Sequence, residues 1–93
     1  MSFRIEYHQL VVERDILELD ASVKHRAKEV IFAKLTEKPE LFGAHLRNER
    51  KGYWKLRVGD YRVVFSIQED RVQIFAILHR STVCKIVFHR LGL

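Results

Sequence analysis

The stretch from Tyr53 to Leu78 leaves this chain little freedom of fold. Three strand-length runs, Tyr53 to Val58, Tyr61 to Gln68 and Arg71 to Leu78, follow one another with only Gly59-Asp60 and Glu69-Asp70 between them. Each run is rich in β-branched and aromatic residues, and two-residue connections join strands that pair antiparallel, so the stretch reads as a meander. With Gly59-Asp60 as the loop, Val58 pairs with Tyr61, Arg57 with Arg62, Leu56 with Val63 and Lys55 with Val64. Parity then sets the faces. Trp54, Leu56, Val58, Tyr61, Val63, Phe65 and Ile67 share one side, which is wholly apolar or aromatic and has to be covered by helices. Tyr53, Lys55, Arg57 and Arg62 share the other.

The covering elements lie on either side of the meander. Phe3 to Tyr7 alternates with period two and predicts a first strand. Leu10, Ile16, Leu17 and Leu19 predict a helix over residues 9–19, with the acids at 13, 15, 18 and 20 outside its apolar face. Asp20-Ala21-Ser22 is a break rich in capping residues. Val23, Ala27, Val30, Ile31 and Leu35 then recur at helical spacing until Lys38-Pro39, where proline disfavours helical geometry at the residue before it. Residues 39–52, with Gly43 and Gly52, read as a loop, a short strand around Leu46 and a turn. After the meander, Ser81 caps a last helix carrying Val83, Ile86, Val87 and Leu91. The expected fold is α+β: an N-terminal strand, a helical hairpin, a three- to four-stranded antiparallel sheet and a C-terminal helix. Ninety-three residues without repeats or a linker predict one domain over 1–93.

Several classes of chemistry are excluded. Cys84 is the only cysteine, so there is no internal disulfide and no C-x-x-C motif, and a reducing compartment is expected. His8, His25, His45, His79 and His89 show no metal-binding spacing, and neither a Gly-rich phosphate loop nor G-x-S-x-G is present. No metal and no cofactor are expected. The N-terminus lacks an apolar signal region, and the longest apolar runs, such as Ile74 to Leu78, are far short of the roughly 20 residues of a membrane span. The expected setting is cytoplasmic, without a membrane partner.

The charge is unevenly spread. The formal charge is +5, yet residues 1–40 hold 7 Lys+Arg against 8 Asp+Glu while residues 41–93 hold 10 against 4. An anionic partner, whether RNA, DNA or an acidic protein segment, suits such a field, and a solvated, solubilising surface is the bland alternative. Arg57 opposite Arg62 with Lys55 two residues along gathers like charges that oppose one another by about several tenths of a kcal/mol unless an anion joins them. Arginine forks with a lysine point charge suit a phosphodiester. His79-Arg80 ends the last strand, so Arg80 is a second candidate contact, whereas Asp60 reads as a turn residue.

The run Gly52-Tyr53-Trp54-Lys55-Leu56-Arg57-Val58-Gly59-Asp60-Tyr61-Arg62-Val63-Val64-Phe65, followed by His79-Arg80-Ser81-Thr82-Val83, resembles the RelE/ParE superfamily of type II toxin–antitoxin toxins. The resemblance covers nearly the whole chain, the N-terminal helices matching in pattern alone. In the RelE branch it implies a ribosome-dependent, metal-free mRNA endonuclease, in which a ribose 2′-OH attacks the adjacent phosphodiester, and a cognate antitoxin as partner. By position it implies catalytic roles for Lys55, Arg62, Arg80 and the residue at 84, and RNA contacts for Tyr53, Arg57 and His79. The family pattern usually carries tyrosine where this chain has Cys84. A thiol cannot stack on a base, and three readings stay open: weakened or altered activity, an attenuated toxin, or Tyr53 or His79 in the missing role. Cys84 as a small residue on the buried side of the last helix is a fourth. The resemblance equally admits a ParE-like toxin that inhibits DNA gyrase without cutting RNA, or a catalytically silent homologue.

Overall fold

The turns of the meander adopt the left-handed backbone that two-residue connections demand, with φ of 59° at Gly59 and 56° at Glu69. The structure, a computed structural model, describes residues 2–45 and 52–90. Strand β1 (Arg4–Tyr7) leads into helix α1 over residues 9–18, whose middle, Val11–Asp15, is wound as π-helix. Helix α2 (Ala21–Val30) runs on through a second π-helical stretch, Ile31–Leu35. A short α3 (Pro39–Phe42) and the two-residue β2 (Ala44–His45) precede the meander strands β3 (Tyr53–Val58), β4 (Tyr61–Gln68) and β5 (Arg71–His79), and α4 (Val83–Arg90) follows.

The strands form one sheet in the order β1-β5-β4-β3-β2. Strands β2 to β5 pair antiparallel, and β3 and β4 have the register deduced from the Gly59-Asp60 loop, including Arg57 opposite Arg62. Strand β1 joins the far edge parallel to β5. Leu56, Val58, Val63 and Phe65 are buried on the α1/α2 side with Val11, Leu19, Ala27, Ile31 and Leu35, so the apolar face is the one the helical hairpin covers. Gly43 is required where α3 meets the sheet, because a Cβ there would stand 2.6 Å from the Phe65 ring.

Strand β5 departs from simple alternation. Val64 pairs with Ala76 but Phe65 pairs with Ile74, so Phe75 is an extra residue, a β-bulge. The bulge resets parity: Val72, Ile74 and Ile77 all reach the α1/α2 core, while Phe75, Ala76 and Leu78 pack under α4 with Val64, Val83 and Val87.

Four local expectations are corrected. Asp15 lies inside, 2% exposed, and Leu17 outside, 74% exposed, because the π-helical turn changes which residues of α1 face the sheet. Pro39 begins a helix as well as ending one, occupying the first helical position where its missing N–H costs nothing. The strand after α3 is Ala44–His45, and Leu46 lies outside the described residues, as does Leu91. Thr82, not Ser81, stands at the head of α4, where its carbonyl accepts from Ile86 N at 3.1 Å, while the Ser81 hydroxyl is paired with His79 Nδ1 at 2.8 Å.

The start of α2 matches expectation. Asp20 Oδ1 accepts from Val23 N at 2.9 Å and from the Ser22 hydroxyl at 2.8 Å. The Val23 N–H and then the Ser22 hydroxyl hold its carboxyl below the usual carboxylate range. A carboxyl whose pKa is lower folded than unfolded adds stability above the unfolded value and loses it as pH falls through the folded one. Wild type should therefore exceed Asp20→Ala in urea midpoint at neutral pH, and the gap should close as the pH is taken below the ordinary carboxylate range.

Candidate nucleic-acid interface

The sheet face opposite the hairpin is divided by α4. Over β4 and β5 it is roofed by Val83, Val87 and Ile86, which cover Val64, Phe75, Ala76 and Leu78. Towards β3 the roof ends, leaving Arg57 exposed and Lys55 half-buried. Tyr53 lies at the boundary, half-buried, its ring tilted against Phe75 with centroids 5.4 Å apart. That contact fixes the ring at the margin of the α4 cluster, next to the basic side chains of β3.

The β3–β4 turn gathers two arginines. Arg62 Nη1 donates to the Gly59 and Tyr61 carbonyls, each at 2.9 Å, which fixes the guanidinium while leaving its Nε and Nη2 donors uncommitted to those carbonyls. Arg80 N donates to the Asp60 carbonyl at 2.8 Å, and its Nε lies 3.8 Å from Asp60 Oδ1. Both side chains of that pair are well exposed, so it orients Arg80 loosely and neutralises little. Asp60 is thus a turn residue that also tethers Arg80. Among the described residues no carboxylate pairs with Lys55, Arg57 or Arg62. The acids in reach of cations are committed elsewhere, Asp70 to Arg4 and Glu6 to Arg71 at the β1 end of the sheet and Asp15 to Arg90.

The structure does not bring every candidate together. His79 pairs with Tyr61, in the row that continues to Val58, so register puts it on the face opposite Arg57 and Arg62. Its ring meets Tyr61 edge-on at 5.3 Å, and Nδ1 accepts from Ser81 N at 3.2 Å, which leaves the proton of the neutral ring on Nε2. Cys84 is exposed in the first turn of α4, four residues after Arg80, so its reading as a buried residue is overturned: α4 buries Val83 and Val87 and turns Cys84 outward. Among the described residues no cluster of three His, Cys, Asp or Glu side chains could hold a metal ion, and no helix is long and apolar enough to cross a membrane.

A family model described as the ParE toxin of the type II toxin–antitoxin system parDE matches residues 5–83. Toxin RelE of Mycobacterium tuberculosis is 37% identical over 70 residues, spanning 73% of this chain and 72% of that protein. The chain belongs to the RelE/ParE family of type II toxin–antitoxin toxins. Solved RelE-type structures share the fold. The toxin–antitoxin complex RelBE2 of M. tuberculosis matches with a TM-score of 0.79 at 25% identity, covering 87% of this chain and 94% of that one. A mutant of Escherichia coli toxin RelE in the free state matches with a TM-score of 0.75 at 15% identity, covering 96% and 93%.

Within this family fold, the feature missed by sequence reasoning is the buried pair of Asp15 and Arg90, held by hydrogen bonds of 2.8 and 2.6 Å. The signal was present: Val11, Asp15 and Leu19, four apart, form one buried stripe with an acid at its centre. The outward position of Cys84 has a direct chemical readout. As the chain's only thiol, it should react with a disulfide reagent in native buffer to one equivalent per chain, at a rate that added urea raises by less than about threefold, in contrast to the slow reaction of buried thiols.

Proposed function

We propose that this toxin is an endonuclease that cuts mRNA on the ribosome. The observation that carries the reading is the open β3 side of the sheet, where Lys55, Arg57 and Arg62 have no carboxylate partner among the described residues and the β3–β4 turn brings Arg80 alongside. The 37% identity to a toxin named RelE supports the same branch. In the reaction, the 2′-oxygen gives its proton to solvent water and bonds to phosphorus, the bond to the 5′-oxygen breaks, and that oxygen takes up a proton from Lys55, which solvent then restores. Negative charge grows on the phosphorane oxygens, and fixed cations aimed at it are the largest available contribution. Arg62, braced by two turn carbonyls, serves as the phosphate clamp, with Arg80 beside it. Lys55 supplies the charge and proton nearest the leaving oxygen, and Arg57 holds the flanking strand. Tyr53, at the edge of the basic side chains, is the ring that meets a base. Cys84 brings no ring to the site, so cleavage is slower than a tyrosine at that position would allow.

A second reading has its own support. The matching family model is the one described for ParE, and Cys84 lacks the ring that base stacking would use. On that reading the toxin binds DNA gyrase and cuts nothing. Purified protein is incubated with programmed ribosomes and messenger ends are mapped, beside a gyrase supercoiling assay. The nuclease reading expects cuts that Arg62→Ala slows by about 100- to 1,000-fold and that Cys84→Tyr accelerates. Intact messenger with inhibited supercoiling decides for the gyrase reading.

The partner we propose is a cognate antitoxin, as in the RelB–RelE complex of Methanococcus jannaschii, whose toxin has this fold. Two adjoining apolar cavities of about 270 and 380 Å³ share Tyr7, Lys28 and Ile31 and run beside the open edge of β1. Lys24 and Lys28 rim the first and Lys28 with Glu29 the second, and the lysine-rimmed first cavity suits an amphipathic antitoxin segment with acidic residues beside its apolar face. Calorimetric titration of the antitoxin should show binding to Lys28→Glu weakened about tenfold at low salt and less at high salt.

A further inference from the structure

Beyond the last residue that pairs with β1, the outer edge of β5 has no strand beside it among the described residues. Tyr7 is opposite Ile74, and the edge from Phe75 onwards runs past the end of β1. Two side chains from distant parts of the chain take the strand's place. Asp15 Oδ2 accepts from Ile77 N at 2.9 Å, and Arg90 Nη1 donates to the Phe75 carbonyl at 3.2 Å. The same two side chains bind each other through both carboxylate oxygens. The residues bracketed in this way are those of the β-bulge.

We propose that the Asp15–Arg90 pair is a positioning device for the basic face, locking the Phe75 bulge so that the Phe75 ring carries Tyr53 beside Lys55. The chain of contact is continuous. The pair fixes the main chain on both sides of Ala76; the bulge sets Phe75 and Ala76 together on the α4 side; there the Phe75 ring meets the Tyr53 ring at 5.4 Å. Tyr53 and Lys55 are two residues apart on one strand and share a face. The His8 ring holds Phe75 from another direction, edge-on at 5.1 Å, and His8 is itself fixed by the N–H of Leu10 on its Nδ1 at 3.0 Å. Arg90 also ends α4, so the pair secures the far end of the helix whose first turn carries Cys84. Neither Asp15 nor Arg90 is placed to touch RNA, and their action is through Phe75 and Tyr53.

As far as it concerns cleavage, this inference rests on the nuclease reading, so its test has an arm that does not. Asp15→Asn keeps the shape of the side chain and removes its charge. Asp15→Leu combined with Arg90→Met removes the pair without leaving a charge buried alone, and serves if the single variant does not fold. In NMR spectra of the full chain, the expected result is loss of the Tyr53–Phe75 ring cross-peaks and displaced amide resonances at Phe75 and Ile77, with the Tyr61–His79 contact unchanged. On programmed ribosomes, kcat should fall about 10- to 100-fold with KM kept within about twofold, since Lys55 and Arg57 are untouched, and Arg90→Lys should retain more of kcat than Arg90→Met. Folded variants whose Tyr53–Phe75 cross-peaks persist would overturn the proposal, as would a loss of kcat that only follows the folded fraction. If wild type leaves messenger intact, the nuclease reading fails and the NMR arm alone decides the positioning role.

Discussion

A carboxylate and a guanidinium buried against each other hold the two halves of this chain together. The Asp15 side chain is 2% exposed and that of Arg90 9%, and they come from the first helix and the last, 75 residues apart. Stripping water from both charges costs several kcal/mol each, which the mutual attraction and the added main-chain bonds offset but rarely exceed. The pair is therefore better understood as a constraint than as a source of stability. Removing one partner strands the other, at about 3–5 kcal/mol, so arrangements of α1, β5 and α4 that separate the two are penalised far more than the native one is rewarded. Ile77 N and the Phe75 carbonyl complete the hydrogen bonding, and no buried side-chain polar atom among the described residues is left without a partner.

Two irregularities of the fold meet at this pair. The π-helical turn of α1 ends on Asp15, turning it inward, and the β-bulge of β5 presents the two main-chain groups it helps to satisfy. Each departure would be a defect alone, since it misaligns the apolar pattern with the core. Together they return Ile77 to the α1/α2 side and give α4 a bed of Phe75, Ala76 and Leu78. A chain with the same composition but strict alternation along β5 would direct Ile77 away from the core that Val72 and Ile74 line.

This explains which parts of the structure could be read in the sequence. The meander was legible because two-residue turns tie register to local chemistry, and register then assigns every side chain on β3 and β4 to a face. Asp20 was legible as a cap for the same reason: its partners are two and three residues away. What escaped depends on contacts between residues far apart in sequence. Nothing near Asp15 announces that Arg90 will meet it, and helical periodicity assumes the winding that the π-turn breaks, so the acid was assigned to solvent and Leu17 to the core. The bulge at Phe75 was equally silent, because a run of apolar residues from Ile74 to Leu78 fits either face. At the candidate site, Lys55, Arg57 and Arg62 were gathered correctly by parity, and parity also explains why His79 is not among them. The burial of Cys84 was not legible because a shift of one residue along a helix, about 100°, separates an inward position from an outward one, and the packing of Val83 and Val87 selects the outward one for Cys84.

The place of the basic face follows from how the sheet is covered. Helix α4 is held at one end by Arg90 and along its length by Val83 and Val87, so it lies over β4 and β5 and stops short of β3. Among the described residues the strand outside β3 is β2, Ala44–His45. Among the described residues, the β3 side of that face is left without a helix over it. Apolar residues there would be an exposed patch prone to association, and the sequence instead places Lys55 and Arg57 on β3 with Arg62 across from them. Like charges at that spacing repel, and the β3–β4 turn absorbs part of the strain by giving Arg62 two carbonyls and Arg80 an exposed aspartate. The remainder is not neutralised by any carboxylate among the described residues, and it is the physical basis of the anionic ligand proposed above. RNA phosphate and an acidic protein surface both carry the charge such a face complements, so the fold alone is compatible with the nuclease and the gyrase readings proposed above.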